Sequence, residues 1–419
     1  RAPPRKVRPL NVTAAAHTRT DRFETTVQAM LGADLSRPEY TYLVRYFREI
    51  VCFYGLPRRP TTVLVTHLLP ERPVFISALA ATTDLASLIP KPRSIHEPTL
   101  DRVSGTVPVH RLSRSECGDP ERLLSHLEAC AAGRPVVLVD IGGYFANALP
   151  EIAARFSGKL LGVVEDTENG LQRYQRIDHP PCPIYSVARS PLKQPEDHLV
   201  GQSVVFSVEA LLRSRGDILQ GRPSLVVGFG KVGQSVASFL RGRGVRVAVY
   251  DKSPTKRTQA LSYGFDVYDS MAEALRDSLL VIGATGNRSL RERDLPSIRS
   301  GAYVATVTSS DDELEMAALG RYQRAQADAH VVRYQHDDQH FFLLNDGNAV
   351  NFIHDAVVGP FIHLVQGEIL VAIWSLQHHT DTPGIFEVSP IHRERLARLW
   401  MSCFGTRQVD DGGIRGVAT

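Results

Sequence analysis

Sulfur chemistry is thinly supplied in this chain of 419 residues. It has five cysteines (Cys52, Cys117, Cys130, Cys182 and Cys403), odd in number, scattered, and never in C-x-x-C spacing. That excludes a disulfide framework and a zinc site of the usual pattern, no metal is expected, and a reducing cytoplasm fits. No run of about 18 apolar residues occurs, so no membrane span is expected, and no secretory leader is read at the start. Internal repeats and long low-complexity tracts are lacking as well. Charge of one sign is also missing: 48 Lys and Arg stand against 45 Asp and Glu, net +3. Composition therefore does not point to nucleic acid, and the basic, Pro-rich residues 1–8 read as a solvated arm. What remains is ordinary globular composition, 43% hydrophobic and 22% charged, at a length that predicts two or three domains.

The most informative stretch is residues 224–251, SLVVGFGKVGQSVASFLRGRGVRVAVYD. A short β-branched run predicts a buried strand. Gly228, Gly230 and Gly233 follow as G-x-G-x-x-G, enclosing Lys231 and Val232. Val232, Val236, Phe239 and Leu240 then recur at helical spacing, Gly244 ends the helix, and residues 245–250 form a second strand ending at Asp251. An acid about 20 residues beyond the glycines completes a dinucleotide-binding βαβ unit. Gly228 permits the turn, Gly230 lets a pyrophosphate approach the backbone, and Gly233 lets helix and strand pack closely. The helix N-terminus offers N–H groups to the phosphates. Asp251 suits the ribose diol of NAD and disfavours the extra phosphate of NADP.

Elsewhere the pattern is α/β. Residues 37–55 read as helix, and residues 61–66 as a strand ending at His67, with Glu71 four residues on. Prolines and polar residues leave only loops and short strands between residues 85 and 114. Strands at 136–140 and 160–164 end in polar residues, Asp140 before Ile141-Gly142-Gly143 and Glu165-Asp166-Thr167-Glu168-Asn169-Gly170, as ligand-binding edges do. Residues 190–200 read as a polar loop carrying Lys193, Asp197 and His198, and residues 201–213 as a long helix. In the nucleotide-binding half, further strands lie near 266–267, at 279–281 before Thr285, at 302–306 before Val307, and at 341–344. A helix is expected over 352–376. The fold class is two Rossmann-like α/β domains, the NAD-binding one inserted into a split substrate-binding one. The boundaries are a disordered tail over 1–35, the substrate domain over 36–205, the NAD domain over 206–352, a helical return over 353–405, and a flexible tail over 406–419.

Four segments together resemble the S-adenosylhomocysteine hydrolase family: GFGKVG, GVVEDTENG, the Lys193-to-Asp197 loop ahead of Gly201, and FLLNDGNAVN. In that family a tightly held NAD oxidises the ribose 3′ hydroxyl, the ketone acidifies the 4′ C–H, the 5′ substituent leaves, water adds, and the ketone is reduced again. The resemblance implies Lys193 as the group that handles the 3′ hydroxyl proton, with Asp197 beside it. Asp166 stands for a ribose-binding glutamate. His67 falls at the 5′ end of the substrate, where a structural histidine is the alternative, and Glu71 falls at the adenine amino group. Thr167 and Asn169 fall on an NAD-binding turn and Asn351 on the nicotinamide. Together with the glycines, Lys231, Val232, Asp251, Thr285 and Val307, these form the cofactor set. His354 and His363 are assigned to helix structure. A homodimer or homotetramer acting on an adenine nucleoside is implied, with no nucleic-acid or membrane partner.

The departures from the family are also specific. Ile141 stands where the family has an aspartate, and Asp140, one residue earlier, should point the other way on a strand. Thr306-Val307-Thr308-Ser309 replaces a histidine-bearing segment, His198 replaces an asparagine, and the family's C-terminal tail motif is absent. The redox loop is kept, while the groups that manage the 5′ end are changed. The expectation is a paralogue that oxidises the 3′ carbon and eliminates a 5′ group, most simply as a dehydration in nucleoside natural-product biosynthesis. An ordinary adenosylhomocysteinase is one alternative, and a non-catalytic NAD-binding regulator is another.

Overall fold

The computed structural model describes residues 12–56, 58–308, 313–378 and 382–405. The chain divides into two compact units. One is discontinuous, residues 1–193 with 360–419, and the other, residues 194–359, is inserted into it.

The discontinuous unit is built on six parallel strands: β1 (Thr61–Leu68), β2 (Asp84–Ile95), β3 (Val136–Asp140), β4 (Leu160–Glu165), β5 (Pro183–Ser186) and a late strand Gly384–Phe386. They run in the order Gly384–Phe386, β5, β4, β3, β1, β2. Such strands are nearly continuous in apolar residues because both faces are covered. Leu64, Val137, Val139 and Val164 pack on one side with helices Pro38–Phe53, Arg72–Thr82 and Ile362–His378. Val63, Val65, Leu138 and Val163 pack on the other with Pro120–Ala131 and Leu149–Arg155. The chain returns from β2 across β1 to β3, so the order reverses between β1 and β3. The carboxyl ends of those two strands therefore flank the crevice where such sheets bind ligands.

The inserted unit contains β6 (Ser224–Val227), β7 (Val247–Tyr250), β8 (Asp266–Val267), β9 (Leu280–Gly283), β10 (Ala302–Thr306), β11 (Gln323–Asp328), β12 (Val331–His336) and β13 (Gln339–Leu344). Their order is β11-β12-β13-β10-β9-β6-β7-β8. Six of them, from β8 to β13 through β6 and β9, reproduce the doubly wound nucleotide-binding order, with the reversal between β6 and β9. β11 and β12 are antiparallel additions at one edge.

Several expectations are corrected. Residues 12–31, expected in a disordered tail, form a helix that buries Phe23, Val27, Met30 and Leu31; residues 1–11 and the tail over 406–419 lie outside the described residues. The stretch read as loops and short strands holds β2, twelve residues long despite Pro90 and Pro92. It is an edge strand, where proline is tolerated. The expected polar loop 190–200 is a short 3₁₀ turn, Pro191–Lys193, followed at once by helix Gln194–Ser214. The helix expected from 352 starts at Ile362, after a 3₁₀ turn Val350–His354. Among the described residues, one helix, Gly359–His378, is long and apolar enough to cross a membrane. Its residues pack into the core of the discontinuous unit, and they include buried His363, Gln366 and Glu368.

Candidate functional site

The edge of the inserted unit is shaped mainly by backbone. Gly228 leaves β6 at φ 98°, a conformation that side chains disfavour. A Cβ on Gly233 would lie 2.0 Å from the Gly228 carbonyl oxygen, so only glycine lets the helix Lys231–Gly242 start there. A Cβ on Gly230 would meet nothing within 4 Å. That open space at a helix N-terminus is where a pyrophosphate needs to approach. Asp251 accepts from Phe229 N and from Ser253 N, each at 2.8 Å, which locks its carboxylate at the end of β7. Asn351 is buried, and its Oδ1 has no hydrogen-bond partner among the described residues. A buried acceptor without a donor is costly, and a carboxamide N–H would satisfy it.

Thr285 and Val307 sit just beyond β9 and β10. Their loops are tied together by Glu313, which sequence reasoning missed. This fully buried carboxylate accepts from Thr285 Oγ1 (2.8 Å), Gly286 N (2.5 Å) and Thr308 Oγ1 (3.1 Å). Burial pushes its carboxyl up, and those hydrogen bonds oppose the rise. Its sequence signal was weak, one acid in a polar run of acids and serines. Lys231 pairs with Asp197 at 3.5 Å. His198 is exposed with its ring 4.9 Å from Phe239, and its carbonyl accepts from Ser235 Oγ.

The edge of the discontinuous unit is shaped by charged side chains. Lys193 Nζ donates to Asp166 Oδ1 at 3.0 Å, and both are buried. Beneath them, Asp140 and Glu165 are register partners across β3 and β4, and both are fully buried. Asp140 accepts from Tyr144 N (3.0 Å), Phe145 N (3.1 Å) and Tyr174 Oη (2.5 Å). It therefore points inward as a turn anchor, and buried Ile141 contributes only apolar packing. Glu165 accepts from Gly142 N and Gly143 N at 3.0 Å, and from Thr167 N and Oγ1 at 2.7 Å. Burial, then the neighbouring Asp140, pushes the Glu165 carboxyl up to about 8, against those hydrogen bonds.

His67, one residue before the end of β1, has Nδ1 2.5 Å from Ser94 Oγ. Burial, then the charges of Lys91, Arg72 and Lys193, holds its imidazole well below the usual range, so it is neutral at pH 7. Glu71 pairs with Arg72 Nε at 3.0 Å. Thr167 and Asn169 both accept from Gly170 N at the start of helix Glu168–Tyr174. The structure thus gathers His67, Lys193, Asp166 and Glu165 at one sheet edge, and Gly228, Gly230, Gly233, Asp251, Thr285 and Asn351 at the other.

The inserted unit is an NAD-binding domain of the Rossmann class, and its residues fit that cofactor: an open cradle at Gly230, a fixed acid at Asp251 and an unsatisfied buried amide at Asn351. Residues 202–356 match the family "S-adenosyl-L-homocysteine hydrolase, NAD binding domain". The chain is 26% identical over 286 residues to the adenosylhomocysteinase of Sulfolobus acidocaldarius, covering 65% of this chain and 67% of that one. Against the Thermotoga maritima adenosylhomocysteinase the figures are 26% over 286 residues, 65% and 70%. An S-inosyl-L-homocysteine hydrolase of Methanopyrus kandleri is 24% identical over 300 residues, 68% of each chain. Residues 202–356 therefore carry an NAD-binding domain of the S-adenosyl-L-homocysteine hydrolase type, the whole chain is similar to adenosylhomocysteinases at about a quarter identity, and its cofactor is NAD.

Proposed function

We propose that this protein carries out a redox-neutral elimination on a purine nucleoside through transient oxidation of the 3′ carbon. The observation that carries the reading is the buried Lys193–Asp166 pair, 3.0 Å apart at a sheet edge that also holds neutral His67. When bound, NAD supplies a two-electron acceptor and donor for the same carbon. Lys193 takes the 3′ hydroxyl proton, and Asp166 holds the ammonium and hydrogen-bonds the ribose. The resulting carbonyl acidifies the 4′ C–H, and proton removal expels the 5′ group. His67, uncharged and fixed by Ser94, stands ready to donate or accept at the 5′ end. Loss of an unmodified 5′ hydroxyl is a dehydration and leaves an exocyclic enol ether, a step suited to nucleoside natural-product biosynthesis. A homodimer or homotetramer, in the cytoplasm, goes with this reading.

The similarity to adenosylhomocysteinases favours a second reading, hydrolysis of S-adenosyl-L-homocysteine to adenosine and homocysteine. The relative named for an inosyl substrate makes hypoxanthine a base to include with adenine. Mass spectrometry of products from adenosine, inosine and S-adenosyl-L-homocysteine separates the readings. An unsaturated nucleoside supports elimination, and homocysteine release supports hydrolysis. Absence of both products and of bound-NAD reduction leaves only a non-catalytic NAD-binding role.

A further inference from the structure

One fully buried carboxylate of the inserted unit has no part in the oxidation chemistry described above. Glu313 follows β10 and lies against the end of β9: a Cβ on Gly283 would stand 3.2 Å from its Oε2. Oε2 accepts from Thr285 Oγ1, and Oε1 accepts from Gly286 N and Thr308 Oγ1. Thr285 Oγ1 itself accepts from Asn287 N at 3.0 Å, which directs its own proton to the carboxylate. The three donors are neutral and both oxygens act as acceptors, the pattern of an ionised group. Burial pushes this carboxyl up, and the donors hold its charge against that penalty.

The sheet order says which part of the cofactor this charge faces. A doubly wound sheet takes one nucleotide on each half, across the reversal. β6, β7 and β8 form the half that ends in Asp251, the acid suited to the adenosine ribose. β9, β10 and β13 form the other half, which leaves the nicotinamide nucleotide to the loops that Glu313 ties together. Contacts at both ends of those loops agree. Thr285 leans on the glycine turn, where a Cβ on Gly228 would lie 2.9 Å from Thr285 Cγ2. Thr306, two residues before Thr308, donates to the Gly347 carbonyl at 2.7 Å and bridges Ala349. Asn351, with its unsatisfied buried Oδ1, is two residues further on.

We propose that Glu313 tunes the redox poise of the bound cofactor, its buried charge favouring the cationic nicotinamide ring of NAD over the neutral ring of NADH. The two forms share their phosphates, riboses and adenine, so a fixed anion beside the ring separates them by charge alone. Such an interaction is stronger in the protein interior than in water. A cofactor that must be oxidised at the start of every turnover is served by this arrangement, because it disfavours release of the site with the ring left reduced. The inference requires the NAD site and no particular substrate, so it stands or falls separately from the nucleoside reading.

Redox titration of the NAD-loaded protein, followed by the absorbance of the reduced ring, tests it in wild type, Glu313→Gln and Glu313→Asp. In Glu313→Gln the preference for NAD over NADH should fall about tenfold, a rise of about 30 mV in the potential of this two-electron couple. Glu313→Asp keeps the charge and should stay near the wild-type potential, even where both variants weaken dinucleotide binding. Equal loss of NAD and NADH affinity in Glu313→Gln, at an unchanged potential, overturns the proposal and leaves Glu313 a loop clamp. An Asp variant shifted as far as the Gln variant also overturns it. A second measurement needs no variant: competition for the wild-type site between NAD and the isosteric dinucleotide that carries a neutral benzamide ring. NAD should win by about the same factor of ten, and equal or tighter binding of the neutral isostere overturns the assignment. Neither measurement uses a nucleoside, so the outcome is independent of which elimination or hydrolysis the protein performs.

Discussion

The two units meet the same architectural problem, a parallel sheet whose strand order reverses beside a ligand, and they answer it with opposite materials. At the edge of the inserted unit the decisive residues are glycines, where side chains are missing, together with one acid held by two backbone N–H groups. At the edge of the discontinuous unit the distinctive residues are buried titratable side chains: Asp140, Glu165, Asp166 and Lys193. A dinucleotide is bound largely through backbone groups and shape, and those requirements leave little room for change. A substrate is read by side chains, and that is where this chain departs from the family it resembles.

The contrast is broken most severely by Lys193→Met, which keeps bulk and removes the base. Reduction of bound NAD by substrate should slow by about 10²–10⁴, while the NAD content of the purified protein stays at the wild-type level. Stopped-flow absorbance measures the first and cofactor extraction the second. If NAD is lost along with the rate, Lys193 supports the fold and is not the base.

A glycine pair sharpens the other side. Gly233→Ala puts a methyl 2.0 Å from the Gly228 carbonyl oxygen and should cost about 1–3 kcal/mol of stability as well as the cofactor. Gly230→Ala meets nothing, and its φ of −76° suits alanine. It should leave the melting temperature unchanged and weaken NAD by filling the space that the phosphates need. A Gly230→Ala variant that binds NAD normally would show that the open cradle is not the pyrophosphate site.

His363 gives a prediction with a sign. Burial first, and Arg72 last, lowers its imidazole to about 4 from the usual 6.5, while the hydrogen bond with Gln366 opposes this. The neutral ring is favoured in the fold, so its contribution is fully present above pH 6.5 and is lost as pH falls through 4. The loss is worth about 3 kcal/mol. Denaturant unfolding between pH 7 and 4 should show this slope, and His363→Asn should flatten it. An unchanged slope in the variant would assign the acid sensitivity to other groups.

Asp251→Asn gives a comparable or smaller change. It exchanges a carboxylate for an amide against two backbone donors and the ribose diol. NAD affinity should fall roughly tenfold to a hundredfold, as read by titration of the stripped protein. Tighter binding of NADP than NAD by the wild type would contradict the role given to this acid.

The same comparison explains what could be read before any coordinates. The βαβ unit around Gly228, Gly230, Gly233 and Asp251 was legible because local spacing dictates it, and Asn351 followed from the resemblance around FLLNDGNAVN. Lys193 and Asp166 were singled out separately from the resemblance, but their pairing is set by the sheet, 27 residues apart in the chain. Strand β2 was hidden because Pro90 and Pro92 read as a break, and its edge position is what tolerates them. Glu313 was hidden because a buried acid among acids and serines looks like a surface loop. Strand alternation turned Asp140 away from the position that Ile141 holds, but its role as an anchor was not legible, because only the glycine turn brings backbone N–H groups back onto it.

The most direct test of the central claim, oxidation at the 3′ carbon followed by elimination, is to mix the NAD-loaded protein with adenosine in deuterated water. Cofactor absorbance and the 4′ proton would be followed together. Transient reduction of bound NAD with deuterium appearing at the 4′ carbon is the predicted result. Product formation with neither signal would contradict the claim.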